Sequence, residues 1–280
     1  MSDLHLEVGQ QYAAFQISPR ASYLILAGDI GRLADYTPYR DFLRSQCDQF
    51  TQVYLILGNH EFFGVSRREG LRLAQALQDE PGLKGKLFVL NRKRVDMEGS
   101  ITILGCTLQS FVPQEARETV RQKINDFRRI EDWTVADHVA EHTLDVAWLK
   151  GEIKAIRGDE NEHQRRIVVV VTHHAPSTRG TSKPTDENNP WSSAFGTDLL
   201  GQVDGCLDDV QWWVFGHTHY STEFSRGGIK LVSNQRGYVL PGKEDHKAES
   251  RGLLKSVIQK LWADTGPGQH TFDVGRTIQV

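Results

Sequence analysis

Apolar runs that end in glycine or in polar clusters punctuate this chain. Val53 to Leu57 is a continuous apolar stretch, and Gly58-Asn59-His60-Glu61 follows with no spacer. Runs rich in β-branched and aromatic residues predict buried strands, and a glycine directly after one permits a tight turn. The pattern recurs. Ser22 to Ala27 leads into Gly28-Asp29-Ile30-Gly31, and Arg166 to Val171 leads into Thr172-His173-His174-Ala175-Pro176. Asp209 to Phe215 leads into Gly216-His217-Thr218-His219, and Ile229 to Val232 leads into Ser233-Asn234-Gln235-Arg236-Gly237-Tyr238.

Helical spacing of apolar residues predicts helices over Pro38 to Phe50, Arg67 to Asp79 and Thr134 to Arg157. His138 and His142 are expected on the surface of the last. Leu87 to Leu90 and Ile101 to Gly105 flank a charged turn at Asp96 to Ser100, which predicts a hairpin. Phe111 to Trp133 has no clear period; its Asn125 to Arg129 segment could lie over a pocket but reads rather as a solvated helix face. The loop from Ser177 to Gly196 is too long for a simple connection and is expected to shape a binding site. Strands alternating with helices give an α/β chain. In open α/β sheets ligands bind at the carboxyl ends of the strands, where these polar clusters fall.

Composition removes several classes. An apolar fraction of 39%, a charged fraction of 25% and a mean hydropathy of -0.45 describe a globular chain. No apolar run is long enough to span a bilayer, and Met1-Ser2-Asp3-Leu4-His5 resembles no secretory leader, so no membrane partner is expected. Cys47, Cys106 and Cys206 are odd in number and widely spaced, as in a reducing compartment, so a cytoplasmic location is expected. A net charge of -3 supplies no basic field to recruit nucleic acid. At 280 residues the chain can form one large domain or two smaller ones.

Collected together, the clusters offer Asp3, His5, Asp29, Asn59, His60, His173, His217 and His219. Asp3 and His5 are two apart, the period that places both side chains on one face of an extended segment. Two carboxylates, one amide and five imidazoles suit borderline divalent metals such as Mn, Fe, Zn, Co or Ni.

Asp-x-His, Gly-Asp, Gly-Asn-His-Glu, a lone His and Gly-His-Thr-His, in this order, resemble the calcineurin-like metallophosphoesterases from residue 2 to about residue 240. The resemblance implies a four-layer α/β/β/α sandwich, with two mixed sheets face to face and helices outside. Residues 1–245 are expected to form that domain and 246–280 a C-terminal extension packed on it. Gly242 to Ser250 reads as a loose surface segment, followed by a short helix and an edge strand.

The implied activity is hydrolysis of a small phosphomonoester or phosphodiester at a centre of two divalent metal ions. Asp3, His5 and His219 would hold one ion, Asn59, His173 and His217 the other, and Asp29 would bridge them. Such a pair clamps phosphate oxygens and lowers the pKa of a bridging water, so that a metal-bound hydroxide attacks phosphorus. His60 is then free to protonate the leaving alkoxide or to orient the phosphate. Glu61 is expected to orient a neighbouring histidine, and His174 to support a ligand rather than to bind metal. Arg179 and Arg236 could each grip a phosphate or form a structural ion pair; no substrate-binding residue is assigned.

The chain departs from the family in two places. Protein Ser/Thr phosphatases carry Asp-Arg-Gly after the second block and an arginine before Gly-Asn-His-Glu, where this chain has Gly31-Arg32-Leu33 and Leu57. The tyrosine ligand of purple acid phosphatases is also missing, since Ile30, Gly31 and Arg32 follow Asp29. Second, an apolar strand precedes Asp-x-His in the family, whereas only Met1 and Ser2 precede Asp3 here. Either the start is short or the sheet lacks much of a central strand, which would leave Asp3 poorly held. A non-catalytic, protein-binding scaffold of the same fold, like the retromer subunit, is the alternative reading. A nuclease is a third, for which a basic face is lacking.

Overall fold

In the computed structural model, residues 1–158, 166–200, 205–240 and 270–280 are described. Strands β1 (Tyr23–Ala27), β2 (Gln52–Ile56) and β3 (Leu87–Val89) form a three-stranded parallel sheet in the order β1-β2-β3. Strands β4 (Lys93–Met97), β5 (Ile101–Cys106), β6 (Ile167–Thr172), β7 (Val210–Phe215), β8 (Thr222–Arg226) and β9 (Ile229–Ser233) form a mixed sheet in the order β4-β5-β6-β7-β9-β8.

Period-2 alternation puts these sheets face to face. Tyr54 and Ile56 of β2 pack with Val169 and Val171 of β6 and with Val214 of β7, forming the core between the sheets. The intervening residues face the opposite way. Val53 and Leu55 meet Phe42, Leu43, Ala74 and Leu77 of helices α1 (Tyr36–Gln49) and α2 (Arg67–Asp79). Val168, Val170, Trp213 and Phe215 meet Leu149 and Ile153 of α5 (Val135–Arg157). Helix, sheet, sheet and helix are the four layers expected. Sequence caps set the helix starts: Ser66 accepts from the Glu69 backbone N–H, and Thr134 with Asp137 makes a capping box.

Three local expectations change. Leu87 to Leu90 is no arm of the hairpin: β3 pairs with β2, and β4 takes that place against β5. His138 and His142 are not at the surface. Both are buried, with His138 Nε2 bonded to Ser110 and His142 Nδ1 at the Leu108 carbonyl. The irregular stretch after Phe111 contains α3 (Arg117–Lys123) and α4 (Asp126–Arg129), and Asp126 is buried although Arg128 and Arg129 are exposed. Strand β8, which the sequence pattern did not indicate, completes the edge of the larger sheet.

The segment Gly242 to Ser250 lies outside the described residues, as does most of the extension from 246 and the helix expected within it. Residues 270–280 form no helix or strand; Phe272 packs near Phe15 against the core of the smaller sheet, and Ile278 on the core between the sheets.

Candidate metal centre

The carboxyl ends of β1, β2, β6 and β7 converge, and the strand-end turns deliver the side chains. Gly28 has φ +86, and a Cβ there would run into the His173 ring. Gly58 needs its missing Cβ for close approach, since a side chain would collide with the Asp29 carboxylate. Asp3, His5, Asp29, His217 and His219 all have φ between 48° and 72°. Left-handed backbone at non-glycine residues costs energy, and here it coincides with the residues whose side chains meet.

Residues 1–6 are held firmly. Ser2 N–H donates to the Asn234 carbonyl, Asp3 N–H to Gly28, His5 N–H to Asp29 and Leu6 N–H to Ile30. Arg236 and Gly237 return N–H bonds to the Ser2 and Asp3 carbonyls. Asp3 is fully buried, and its carboxylate accepts the His217 N–H at 3.1 Å. The expected looseness of Asp3 is therefore not observed, because strand ends on both sides supply the pairing.

All eight predicted residues come together. His5 Nε2 and His219 Nε2 lie 2.8 Å apart, with His219 Nε2 3.5 Å from Asp3 Oδ1. His173 Nε2 lies 3.3 Å from Asp29 Oδ1 and 3.0 Å from Asn59 Oδ1. Two sets of donor atoms, Asp3 with His5 and His219, and Asp29 with His173 and His217, each lie within 4.8 Å of one another. A third set joins His5 and Asp29 to His60, whose Nε2 is 3.9 Å from Asp29 Oδ2. The donor chemistry fits divalent cations. Burial holds His217 and His219 well below the usual imidazole range, so both are in the neutral form that coordinates. Against burial, which opposes charge, the Asp29 and Asp3 carboxylates hold His173 up at about 10. A positive charge is thus favoured between these carboxylates.

Supporting residues missed in the sequence complete the centre. Glu7 Oε1 lies 2.7 Å from His60 Nδ1 and 3.5 Å from His5 Nδ1. Burial would raise this carboxyl, but the two imidazoles hold it down at about 2, so it is ionised. Asp126 Oδ1 accepts from Asn59 Nδ2 at 2.8 Å, which turns the amide oxygen towards His173. Tyr238 stacks on the His5 ring at 4.2 Å and places its hydroxyl 3.0 Å from His60 Nε2. Only Glu7 left a sequence signal, an acid two residues after His5 on the same face.

Glu61 has a different role from the one expected. Its carboxylate orients no histidine; it accepts backbone N–H groups of Asp29, Ile30 and Gly58 at 2.7 to 2.9 Å and the Tyr39 hydroxyl at 3.0 Å. It ties the first two strand-end turns together. His174 is buried against the His217 ring at 4.1 Å. Arg236 is spent on the Leu4 carbonyl, Gln11 and the Phe15 face, whereas Arg179 is exposed.

A cavity of about 440 Å³ opens over the cluster, lined by Asp29, Asn59, His60, His217, His219 and Tyr238 together with Lys123, Trp191 and Phe195. Much of the long loop from Ser177 to Gly196 lines it, as its length predicted. Among the described residues no helix is long and apolar enough to cross a membrane.

Layered sheets with a histidine and carboxylate cluster at their carboxyl edge define a metallophosphoesterase fold. Residues 1–221 match the model of the calcineurin-like phosphoesterases, and the chain belongs to that family. It is similar to the uncharacterized protein L509 of Acanthamoeba polyphaga mimivirus, at 23% identity over 236 residues, 77% of this chain and 78% of that one. Its fold is similar to that of the phosphopantetheinyl hydrolase PptH from Mycobacterium tuberculosis, with a TM-score of 0.62 and 20% identity, covering 85% of this chain and 88% of that one.

Proposed function

We propose that this protein hydrolyses small phosphoesters at a centre of two divalent metal ions, with Asp3, His5 and His219 holding one ion, Asn59, His173 and His217 the other, and Asp29 bridging. The observation that carries this reading is the pair of donor sets, each within 4.8 Å, beneath one open cavity. When bound, the cations supply charge neutralisation for the phosphoryl oxygens and a water acidic enough to act as nucleophile.

The chain's own groups do the rest. Asp29 is suited to its place because a carboxylate offers two oxygens, and the His60 N–H donates to Oδ1 at 2.8 Å, which orients it. The His173 Nδ1 is directed at the Ala27 carbonyl, 3.0 Å away, which leaves Nε2 for the centre. His60 presents Nε2 to the cavity side, beside Asp29, where it can donate a proton to the leaving oxygen. The cavity is several times larger than a phosphate group, so it accommodates a leaving group of metabolite size.

Hydrolysis of p-nitrophenyl phosphate and bis-p-nitrophenyl phosphate by Mn-loaded protein tests the reading. Turnover of at least one ester is expected, with a loss of about 10²-fold or more in His60→Asn. No turnover of either ester by folded, metal-loaded protein would sink it.

A further inference from the structure

Resting on the phosphoesterase reading, we infer that Glu7 is the positioning residue for leaving-group protonation, acting through His60. The His60 ring is held at both nitrogens: Nδ1 lies 2.7 Å from Glu7 Oε1, and Nε2 lies 3.0 Å from the Tyr238 hydroxyl. The two contacts differ in kind. Glu7 is partly buried, with its side chain 8% exposed, and it approaches from the segment that also carries His5. Tyr238 is half-exposed and lines the cavity. Glu7 accepts the Nδ1–H bond, so the proton on that nitrogen is committed and Nε2 is the nitrogen available for chemistry. The Phe63 ring, 4.1 Å from the His60 ring, limits its rotation. The Tyr238 hydroxyl occupies the place at Nε2 that a leaving oxygen must take, and it yields as the ester enters.

The step balances with water as the only co-reactant. As water attacks phosphorus, its oxygen forms the new P–O bond and one of its protons passes to solvent, while the P–O bond to the leaving group breaks and its electron pair stays on the leaving oxygen. The His60 Nε2–H bond then breaks as the new O–H bond forms. His60 is left neutral, with Nδ1–H still donated to Glu7, and regains a proton from solvent. A carboxylate acceptor at Nδ1 fixes the ring and keeps Nε2 aimed at the leaving oxygen during the step.

Glu7 Oε1 is also 3.5 Å from His5 Nδ1, so a role confined to supporting His5 is the competing account. Leaving-group dependence separates the two. A poor leaving group needs the proton and a good one does not, whereas damage to a metal ligand slows both alike. With phenyl and p-nitrophenyl esters of the same phosphoryl group, Glu7→Ala is expected to lose about 100-fold on the phenyl ester and about threefold on the p-nitrophenyl ester. Glu7→Gln, whose amide oxygen can accept Nδ1–H, is expected to recover about tenfold of the phenyl activity. Metal content per chain and the proton spectrum of the metal-free protein supply readouts independent of turnover. A low-field imidazole N–H resonance lost in His60→Asn is expected to be lost in Glu7→Ala also. Equal losses on both esters, or a fall in metal content that accounts for the loss, would overturn the positioning role while leaving the phosphoesterase reading intact. No turnover by the wild-type protein would overturn both.

Discussion

Asn59 Nδ2 donates to Asp126 Oδ1 over 2.8 Å, and that bond decides which end of the amide faces His173. An amide can present either an oxygen that coordinates a cation or an NH₂ group that repels one. Asp126 is buried and cannot be replaced by water without a cost. Asp126→Ala is therefore expected to weaken the site of Asn59, His173 and His217 by about 10- to 100-fold in metal affinity, with the other site less affected. Mn titration of the metal-stripped protein measures this, and two unaltered affinities would contradict it.

Tyr238→Phe keeps the ring on His5 and removes the hydroxyl from His60 Nε2. One hydrogen bond is worth about 0.5–1.5 kcal/mol, and this one breaks before a leaving oxygen reaches Nε2, so turnover is expected to hold or to rise by up to roughly 10-fold with metal content unchanged. Steady-state kinetics with parallel elemental analysis check this. A fall in turnover would show that the hydroxyl helps His60 rather than yielding to the ester.

Glu61 predicts a stability effect rather than a chemical one. Glu61→Ala leaves the buried N–H groups of Asp29, Ile30 and Gly58 without their acceptor, at about 1–3 kcal/mol each. Tyr39→Phe removes one bond to the same carboxylate and is expected to cost about 1 kcal/mol. Urea unfolding of the metal-free protein should show a loss above about 3 kcal/mol for Glu61→Ala. A loss no larger than that of Tyr39→Phe would contradict the tie between the turns.

Buried His138 adds a pH dependence. Burial, helped by His142 and Arg67, holds its imidazole down at about 3 against an ordinary value of 6.5. The folded chain keeps it neutral while the unfolded chain takes up a proton as pH falls through 6.5. The stability it lends is complete above that pH and is lost progressively below it. Between pH 7.5 and 5.5 this amounts to about 1.4 kcal/mol by proton linkage. His138→Gln should lose that much less stability over the interval in urea unfolding, and an unchanged pH slope would refute the assignment.

The strand ends were legible because each buried run announced itself by continuous apolar residues and stopped at a polar cluster. Asp29, Asn59, His173, His217 and His219 could be picked out one by one. What supports them was not. Glu7 meets His60 across 53 residues, Asp126 meets Asn59 across 67 and Tyr238 meets His60 across 178, and no local period encodes such meetings. Leu87 to Val89 had the right composition for a strand, yet its choice of β2 over β5 is a matter of tertiary packing. His138 and His142 look like exposed polar positions until Ser110 and the Leu108 carbonyl provide partners for them. The hold on Asp3 was likewise invisible, since it comes from Gly28, Asn234 and Gly237 rather than from residues before it.

The central claim is that seven side chains, from the N-terminal segment and four strand ends, hold two cations with Asp29 between them. Elemental analysis of the protein loaded with excess Mn and then desalted tests it most directly. The account predicts two ions per chain in the wild type and fewer in Asp29→Ala. One ion or none in the folded wild-type protein would contradict it.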